Sequence, residues 1–224
     1  MVSRQASPVR QGTAPAGLSP IDSKVHRIHL GITGTAAKKR CMKVLPCDDV
    51  SLEVAAALLN SGGVAVIPTD TVYGLAAHPA FPDAVERLYT IKGRESGKKI
   101  AFLAADAAAV CAFGFCFPEK ASELAARHWP GALTMVLGNE GFRVPDHAWT
   151  RRLLALCGGV LKVTSANLSG GRPAIDAPQA LADIGLSADL VVDDGASPGG
   201  VASTVVRVEA DGTIAVLRKG AVEI

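Results

Sequence analysis

Aromatic residues make up only 4% of this 224-residue chain, whereas 49% of its residues are hydrophobic. Its core must therefore consist mainly of aliphatic side chains, and the length suits one domain. No apolar run approaches the ~18 residues that a membrane helix needs. Residues 1–30 also lack the sustained apolar segment of a signal peptide. We therefore expect no membrane partner.

Cysteine pairs are also missing. The five cysteines form no C-x-x-C pair and show no spacing to histidine that would suit zinc. They are Cys41, Cys47, Cys111, Cys116 and Cys157. An odd number of cysteines in a chain of this size favours reduced thiols in a reducing compartment over a disulfide or a metal site. We therefore predict no metal-ligating residues.

Acidic residues are scarce at the start of the chain. Residues 1–41 contain seven Lys and Arg but one acid, whereas residues 42–224 contain 16 basic and 20 acidic residues. A domain-wide nucleic-acid surface normally needs a strong positive excess. Any basic site in the second part must therefore be local.

The change in composition predicts a disordered basic arm at 1–41 and a folded domain at 42–224. The arm contains Arg and Ser and is poor in acids, as organelle transit peptides are. Pro and Gly within its first 20 positions would break the amphipathic helix of a transit peptide. We favour a start at Met42, and a cytoplasmic protein, over an organellar protein.

Strand and helix patterns alternate along 42–224. The predicted strands are 42–46, 64–67, 100–104, 133–137, 160–163, 190–192, 204–208 and 214–217. A first helix is capped by Asp48 or Asp49, and its predicted apolar face is formed by Val50, Val54, Ala57 and Leu58. Further helices are predicted near 83–92, 121–128, 149–156 and 177–184. The alternation predicts one α/β domain with a twisted, mainly parallel or mixed sheet flanked by helices, closed by a hairpin at Asp211-Gly212.

Four segments interrupt this alternation with polar residues and glycine, each at the end of a strand or helix. They are 68–75, 92–94, 164–170 and 202–205. In open α/β sheets, ligands bind in the crevice at such ends. The four segments are therefore candidates for one ligand site.

The second segment begins a group of four cations within eight residues: Lys92, Arg94, Lys98 and Lys99. The group is either a solvated basic loop or a phosphate site, because Arg offers a planar fork to phosphate oxygens and Lys a point charge. It is not a P-loop. The Walker pattern needs four residues between its glycines, whereas three separate Gly93 from Gly97.

Two further polar groups leave alternatives open. Ser165-Ala166-Asn167 supplies neutral donors beside Gly170-Gly171, where a ligand can approach the backbone closely. It is either a ligand-binding turn or a structural polar turn. Asp193-Asp194 could hold magnesium, but we favour a turn at the end of a strand.

Seven motifs, in order, resemble the YrdC family between about residue 48 and residue 222. They are PTDTVYGL (68–75), KGR (92–94), WPGALT (129–134), RVPDH (143–147), SANLS (165–169), STVV (203–206) and LRKG (217–220). The resemblance implies a twisted sheet with a concave basic cavity. It also implies that L-threonine, bicarbonate and ATP are converted into threonylcarbamoyl-AMP and pyrophosphate.

The resemblance extends to partners and site residues. Downstream threonylcarbamoyl-transferase proteins would pass the group to the tRNA adenosine beside the anticodon, with at most a weak contact between tRNA and this chain. By position, the catalytic residues would be Lys92, Arg94, Ser165 and Asn167. The same four would bind the nucleotide together with Lys98, Thr134, Ser203 and Arg218, and threonine would be held by Thr69 and Arg143. ATP would be a substrate that carries Mg²⁺ on its phosphates.

One loop departs from the family pattern. After the arginine of the second motif, relatives usually have a proline and later Lys-Pro or Asn-Pro, whereas this chain has Glu95 and then Lys98-Lys99. The spacing is kept, so Lys98 is still expected to reach the nucleotide. The loss of two prolines makes the loop more costly to order.

The implied reaction needs no protein nucleophile. A carbamate anion must attack polyanionic ATP, so cations must reduce the repulsion and align the reactants. Lys92, Arg94 and Arg218 suit that task, and Arg143 would hold the threonine carboxylate in a two-pronged pair.

Two other functions remain open. One is a non-catalytic tRNA- or double-stranded-RNA-binding module, against which the acidic balance of 42–224 weighs. The other is a carbamoyl-transfer domain like that of hydrogenase-maturation proteins, which occurs in much longer chains with acylphosphatase and zinc-finger segments.

Overall fold

A computed structural model describes residues 43–95, 97–184, 187–209 and 211–224. These residues belong to one compact unit. Expectations for 1–41 and for Met42 concern positions outside the described residues, so the division at 41/42 stays a prediction. In the described ranges, no helix has the length and apolar character needed to cross a bilayer.

The described residues form ten strands and six helices. The strands are β1 (Lys43–Pro46), β2 (Val64–Ile67), β3 (Gly74–Ala77), β4 (Phe102–Ala104), β5 (Leu133–Leu137), β6 (Glu140–Arg143), β7 (Val160–Ser165), β8 (Leu190–Asp193), β9 (Thr204–Val208) and β10 (Ile214–Arg218). The helices are α1 (Asp49–Leu59), α2 (Pro82–Lys92), α3 (Ala107–Ala112), α4 (Glu119–His128), α5 (Ala148–Leu156) and α6 (Ala177–Ile184). Strands β3 and β6 and helix α3 were not predicted. Both strands are short and contain glycine or alanine, which have low strand propensity.

One sheet contains all ten strands, in the order β1-β8-β2-β3-β7-β4-β6-β5-β9-β10. Four neighbouring pairs are parallel and five are antiparallel. The α/β class and the mixed sheet are confirmed, and so is the closing β9–β10 hairpin. The emphasis on parallel strands was wrong, because unpredicted β3 and β6 pair antiparallel with their sequence neighbours β2 and β5.

Helix α1 begins at the predicted cap but buries a different face. Asp48 is the N-cap, and its carboxylate accepts a hydrogen bond from the Ser51 amide at 2.7 Å. Leu52 and Leu59 are buried, whereas Val50 of the predicted apolar face is 68% exposed. The prediction was wrong because nearly every side of this alanine-rich helix is apolar, so periodicity does not single out one face.

Helices cover both faces of the sheet at β2. Alternate residues of a strand point to opposite faces. Ala65 and Ile67 therefore join the core formed with α1 and α5, while Val64 and Val66 join the core formed with α2 and α6.

Among the described residues, helices cover the sheet at β5 on one face only. Leu133 and Met135 are fully buried in a core that includes residues of α4. Thr134 and Val136 point to the other face, where they line a cavity instead of a helix. The uncovered face of β5 and its neighbours is therefore the place where a ligand can reach the sheet.

Candidate active site

The cavity has a volume of about 500 Å³ and is lined by residues from seven consecutive strands, from β3 to β10 in sheet order. Its described lining includes five basic residues and no acidic residue. Seven of the ten predicted site residues line it: Thr69, Arg94, Thr134, Arg143, Ser165, Ser203 and Arg218. Three do not: Lys92, Lys98 and Asn167.

Strand pairing arranges the cavity floor in two rows that cross the sheet. The first row runs through Leu103, Arg143, Thr134, Val205 and Arg218, because these residues lie side by side on β4, β6, β5, β9 and β10. The second row lies two residues further along each strand and runs through Val163, Ala101, Gly141, Val136 and Arg207. Three of the five residues in the first row are polar, and two of these are arginines, whereas the second row is apolar except at its end.

Arg143 is 6% exposed and its guanidinium is already bonded to the protein. Its Nε donates to the Gly131 carbonyl oxygen at 2.9 Å, its Nη1 to the Thr71 hydroxyl at 2.7 Å, and its Nη2 to the Asp70 carboxylate. Each Nη carries a second N–H, so two donors remain for a ligand carboxylate. Asp70 and Thr71 therefore fix the plane in which Arg143 presents those donors.

Thr69 shapes the loop that follows β2. Its hydroxyl donates to the Val72 carbonyl oxygen at 2.6 Å and accepts from the amides of Thr71 and Val72 at 3.2 and 3.3 Å. The side chain is 3% exposed, although it belongs to the cavity lining. Its hydroxyl is used within the loop, so a direct contact with threonine would fall to the rest of the side chain.

Lys92 lies behind the cavity wall. It is the last residue of α2, and Gly93 ends the helix with a left-handed backbone at φ 57°, which favours glycine. The Lys92 ammonium donates to the carbonyl oxygens of Ser165 and Asn167, each at 2.5 Å. Burial lowers the pKa of Lys92 to about 8, and the nearby charge of Arg94 adds to the shift.

Asn167 is 4% exposed and also supports the loop after β7. Its side-chain amide donates to the carbonyl oxygens of Leu168 and Gly171 at 2.8 and 2.9 Å. Ser165 remains in the cavity wall, where it pairs with Gly74 of β3. Lys92 and Asn167 therefore hold in place the end of β7 and the loop after it, residues 165–171, which we call the Ser165 loop. Direct contact of Lys92 and Asn167 with a nucleotide stays a prediction.

The loop between α2 and β4 carries Arg94 on its cavity side. The Arg94 guanidinium donates to the carbonyl oxygens of Lys98 and Lys99 at 2.9 and 3.1 Å. The side chains of Lys98 and Lys99 are similarly exposed, 64% and 60%, but Lys99 lines the cavity and pairs with Glu140 at 3.1 Å. Lys99 stands at a proline position of the family pattern, and the contact predicted between Lys98 and the nucleotide stays a prediction.

Arg218, Ser203 and Thr134 form a hydrogen-bonded group at the β10 end of the first row. The Arg218 guanidinium donates to the Ser203 carbonyl oxygen at 2.7 Å, and the Ser203 and Thr134 hydroxyls lie 2.8 Å apart. Gly220 lets the chain return onto this group, because an added Cβ would lie 2.3 Å from the Ala202 carbonyl oxygen.

The arginines of the cavity repel one another. Burial lowers the pKa of Arg218, and the charge of Arg94 lowers it further. Burial also lowers the pKa of Arg143, where Asp70 opposes the shift and Arg218 adds to it. An anion bound among these three side chains would relieve their repulsion, so the site is electrostatically suited to phosphate and carboxylate groups.

None of the motifs includes Arg207, although the sequence carries a signal for it. Thr204, Val206 and Val208 alternate with Val205 and Arg207 along β9, and the first three are buried. The alternation places Arg207 on the same face as Val205, in the cavity lining.

The remaining polar candidates have structural partners. Asp193 ends β8, and its carboxylate accepts from the Gly195 amide at 3.0 Å, as expected for a turn. Asp194 contacts His147 at 2.9 Å. No group of three His, Cys, Asp or Glu among the described residues is placed to hold a metal ion.

Comparison with protein families identifies the family of the chain. Residues 57–220 match the model of the Sua5/YciO/YrdC family, which carries the description "Telomere recombination". The chain belongs to this family. A Bacillus subtilis protein named threonylcarbamoyl-AMP synthase is 35% identical over 193 residues, which cover 80% of this chain and 56% of that protein. The chain therefore spans little more than half of this relative.

Two solved structures of the Sua5/YciO/YrdC family share the fold. P. abyssi Sua5 complexed with L-threonine is 27% identical, with a TM-score of 0.74 over 80% of this chain and 57% of that one. E. coli YciO is 24% identical, with a TM-score of 0.69 over 80% of this chain and 95% of that one. The second likeness shows the fold alone.

Proposed function

We propose that this chain is an L-threonylcarbamoyladenylate synthase, a nucleotidyltransferase that converts L-threonine, bicarbonate and ATP into threonylcarbamoyl-AMP and pyrophosphate. The observation that carries the proposal is the cavity, where Arg94, Arg143 and Arg218 gather without an acidic residue in the described lining. The relatives named threonylcarbamoyl-AMP synthase and the threonine complex of P. abyssi Sua5 support it.

The chemistry asks the protein to bring anions together. The threonine amine and bicarbonate give a carbamate and water. A carbamate oxygen then attacks the α-phosphorus of ATP, and the bond from that phosphorus to the bridging oxygen breaks, so that pyrophosphate leaves with the electron pair. Arg94 and Arg218 stabilise the charge of the phosphates, while the Ser165 loop, held by Lys92, limits the position of the nucleotide.

The lining residues fit a magnesium ion that arrives with ATP. A protein cage for Mg²⁺ needs carboxylate oxygens, and the described cavity lining provides none. The phosphates would therefore supply the ligands of the ion, which would neutralise part of their charge when bound. The protein's own part is to hold the phosphates with arginine.

The same proposal covers the wider setting of the reaction. We propose that separate transferase proteins pass the threonylcarbamoyl group to the tRNA adenosine beside the anticodon. The described cysteines Cys47, Cys111, Cys116 and Cys157 are free thiols, which supports a reducing compartment and thus the cytoplasm.

Pyrophosphate release tests the proposed reaction directly. With purified protein, ATP and Mg²⁺, release should require both L-threonine and bicarbonate. Serine should support a lower rate, because one methyl group is worth roughly 1–3 kcal/mol in a binding pocket. Equal release with threonine omitted would reject the proposal, and RNA binding without any release would favour a binding module.

Arg143 should act mainly on threonine. We expect Arg143→Ala to raise the threonine KM by about tenfold or more, because a charge-assisted contact present before and during the reaction is lost. Initial rates at varied threonine and fixed ATP would measure this. The variant leaves Asp70 without its bonded partner Arg143, so the double variant Arg143→Ala with Asp70→Asn serves as the folding control. A change confined to the ATP KM would show that the threonine subsite lies elsewhere.

A further inference from the structure

One lining arginine has no role in the proposed reaction so far. Arg207 is exposed, lies at the end of the second row, and belongs to the cavity lining. Arg94, Arg143 and Arg218 are each hydrogen-bonded to protein oxygens. For Arg207, by contrast, the described part of the chain provides no hydrogen-bond or ion-pair partner. Its guanidinium is thus available to a ligand without breaking a protein contact.

The register of β9 places Arg207 beside Arg218 and away from Arg143. Val205 pairs with Arg218 on the adjacent strand, and Arg207 lies two residues further along β9. With strands spaced about 4.8 Å apart and residues rising about 3.3 Å, the Cα atoms of Arg207 and Arg218 are about 8 Å apart. Two strand spacings separate β9 from β6, so Arg207 lies about 12 Å from Arg143 by the same geometry.

The position of Arg207 suits one part of ATP better than the others. The reacting α-phosphate must lie next to the carbamate, and so near Arg143 if that residue holds threonine. Most of the negative charge of ATP is on its β- and γ-phosphates, which leave as pyrophosphate. A free guanidinium beside Arg218, and remote from Arg143, matches that charge better than it matches a neutral base.

We propose that Arg207 is a further substrate-binding residue, which contacts the β- and γ-phosphates of ATP and the pyrophosphate that they form. This inference rests on the proposed function, since it assigns the cavity to ATP. A nucleobase is the competing occupant, because it could stack against the guanidinium over the apolar second row, where Val136 is the neighbour of Arg207.

Binding of two ligands, pyrophosphate and AMP, to the Arg207→Gln variant distinguishes phosphate from base as the partner of Arg207. We expect the variant to bind pyrophosphate about tenfold more weakly than the unaltered protein, the size of one charge-assisted hydrogen bond, and to bind AMP equally well. Titration calorimetry with pyrophosphate and with AMP would measure both affinities. Arg207→Lys should keep part of the affinity, because it retains the charge but loses the fork. Arg127→Gln, on the exposed end of α4, is the matched control.

The salt dependence of binding adds a second readout. Pyrophosphate affinity should fall less steeply with added salt in Arg207→Gln than in the unaltered protein, because one cation is gone. Weaker AMP binding with unchanged pyrophosphate binding would overturn the proposal in favour of the base. Unchanged binding of both pyrophosphate and AMP, or an equal loss of both, would also overturn it.

These binding measurements do not depend on turnover. If the protein releases no pyrophosphate with threonine and bicarbonate, the proposed function fails. The pyrophosphate affinities still decide whether Arg207 holds that anion. If turnover is present and Arg207→Gln binds pyrophosphate normally, the inference about Arg207 fails alone.

Discussion

Replacing Arg94 with alanine is expected to lower the turnover number by about 10²–10³-fold, the loss measured when one preorganised donor to a developing charge is removed. Arg94 lines the cavity, and its charge contributes to the lowered pKa of Arg218. The two side chains therefore face a common space. The attack of carbamate on ATP increases charge in that space, so the loss should appear in kcat rather than in the threonine KM.

Arg94 also holds its own loop, and a second variant separates the two roles. Arg94→Lys keeps the charge but loses the planar guanidinium that bonds to the carbonyl oxygens of Lys98 and Lys99. It should recover part of the lost rate if charge matters, and none if only loop structure matters. Arg152→Ala is the matched control, since Arg152 makes an exposed ion pair with Asp49. Rates of pyrophosphate release and melting temperatures would be measured for all three. A normal kcat in Arg94→Ala would show that the cavity does not bind phosphates as proposed.

The motifs predicted which residues lie together in the site, but strand register decides how they are arranged. Thr134, Arg143 and Arg218 belong to three separate motifs, and pairing of β5, β6, β9 and β10 brings them into one row. The order of strands in a sheet depends on long-range packing, which no local pattern records. The sequence therefore predicted the membership of the site better than its geometry.

Neighbouring cations also show that the sequence predicts which residues belong to a site better than it predicts where their side chains lie. Lys92 and Arg94 are separated by one glycine, yet Lys92 is 2% exposed while Arg94 lines the cavity. The left-handed turn at Gly93 sends the two side chains to opposite sides of the wall. Similarly, Lys99 and not Lys98 lines the cavity, although the resemblance to the family predicted that Lys98 reaches the nucleotide. Charge patterns identify a basic loop, but backbone direction decides which cation reaches a ligand.

The sequence contains a periodic pattern that indicates one further site residue, Arg207. The alternation of β9 places Arg207 on the cavity face, as the period of two requires. For α1 no such signal exists, because Val50 and Val54 compete with Leu52 and Leu59 for the buried face. Contacts with α5 decide that competition, since Leu52 and Leu59 share a core with Leu153.

Replacing Lys92 with methionine should reduce activity by about 10²-fold or more, because a displacement of about 1 Å in a positioning group can cost that much. The Lys92 ammonium is bonded to the carbonyl oxygens of Ser165 and Asn167, and methionine fills the space without any donor. The loop after β7 would then lose these side-chain bonds to α2, while the bond from the Ser169 amide to the Lys92 carbonyl oxygen at 2.8 Å would stay. Steady-state rates would measure the loss, with Lys120→Met on the exposed face of α4 as the control. Unchanged activity would show that neither the loop position nor a direct lysine contact matters.

The pH dependence of unfolding tests the same lysine by a route that does not require catalysis. The pKa of Lys92 is about 8 in the folded chain, whereas an unfolded lysine has a pKa of about 10.4. Below pH 8 both states hold the proton, so the free energy of unfolding relative to Lys92→Met should stay constant. Between these two pKa values only the unfolded chain keeps the proton, so the unaltered protein should gain stability over the variant as pH rises, by roughly 3 kcal/mol at most. Urea unfolding of both proteins across this range would measure the difference. A flat difference would mean that the carbonyl oxygens of Ser165 and Asn167 keep the buried ammonium charged, and that their bonds to it outweigh its loss of water.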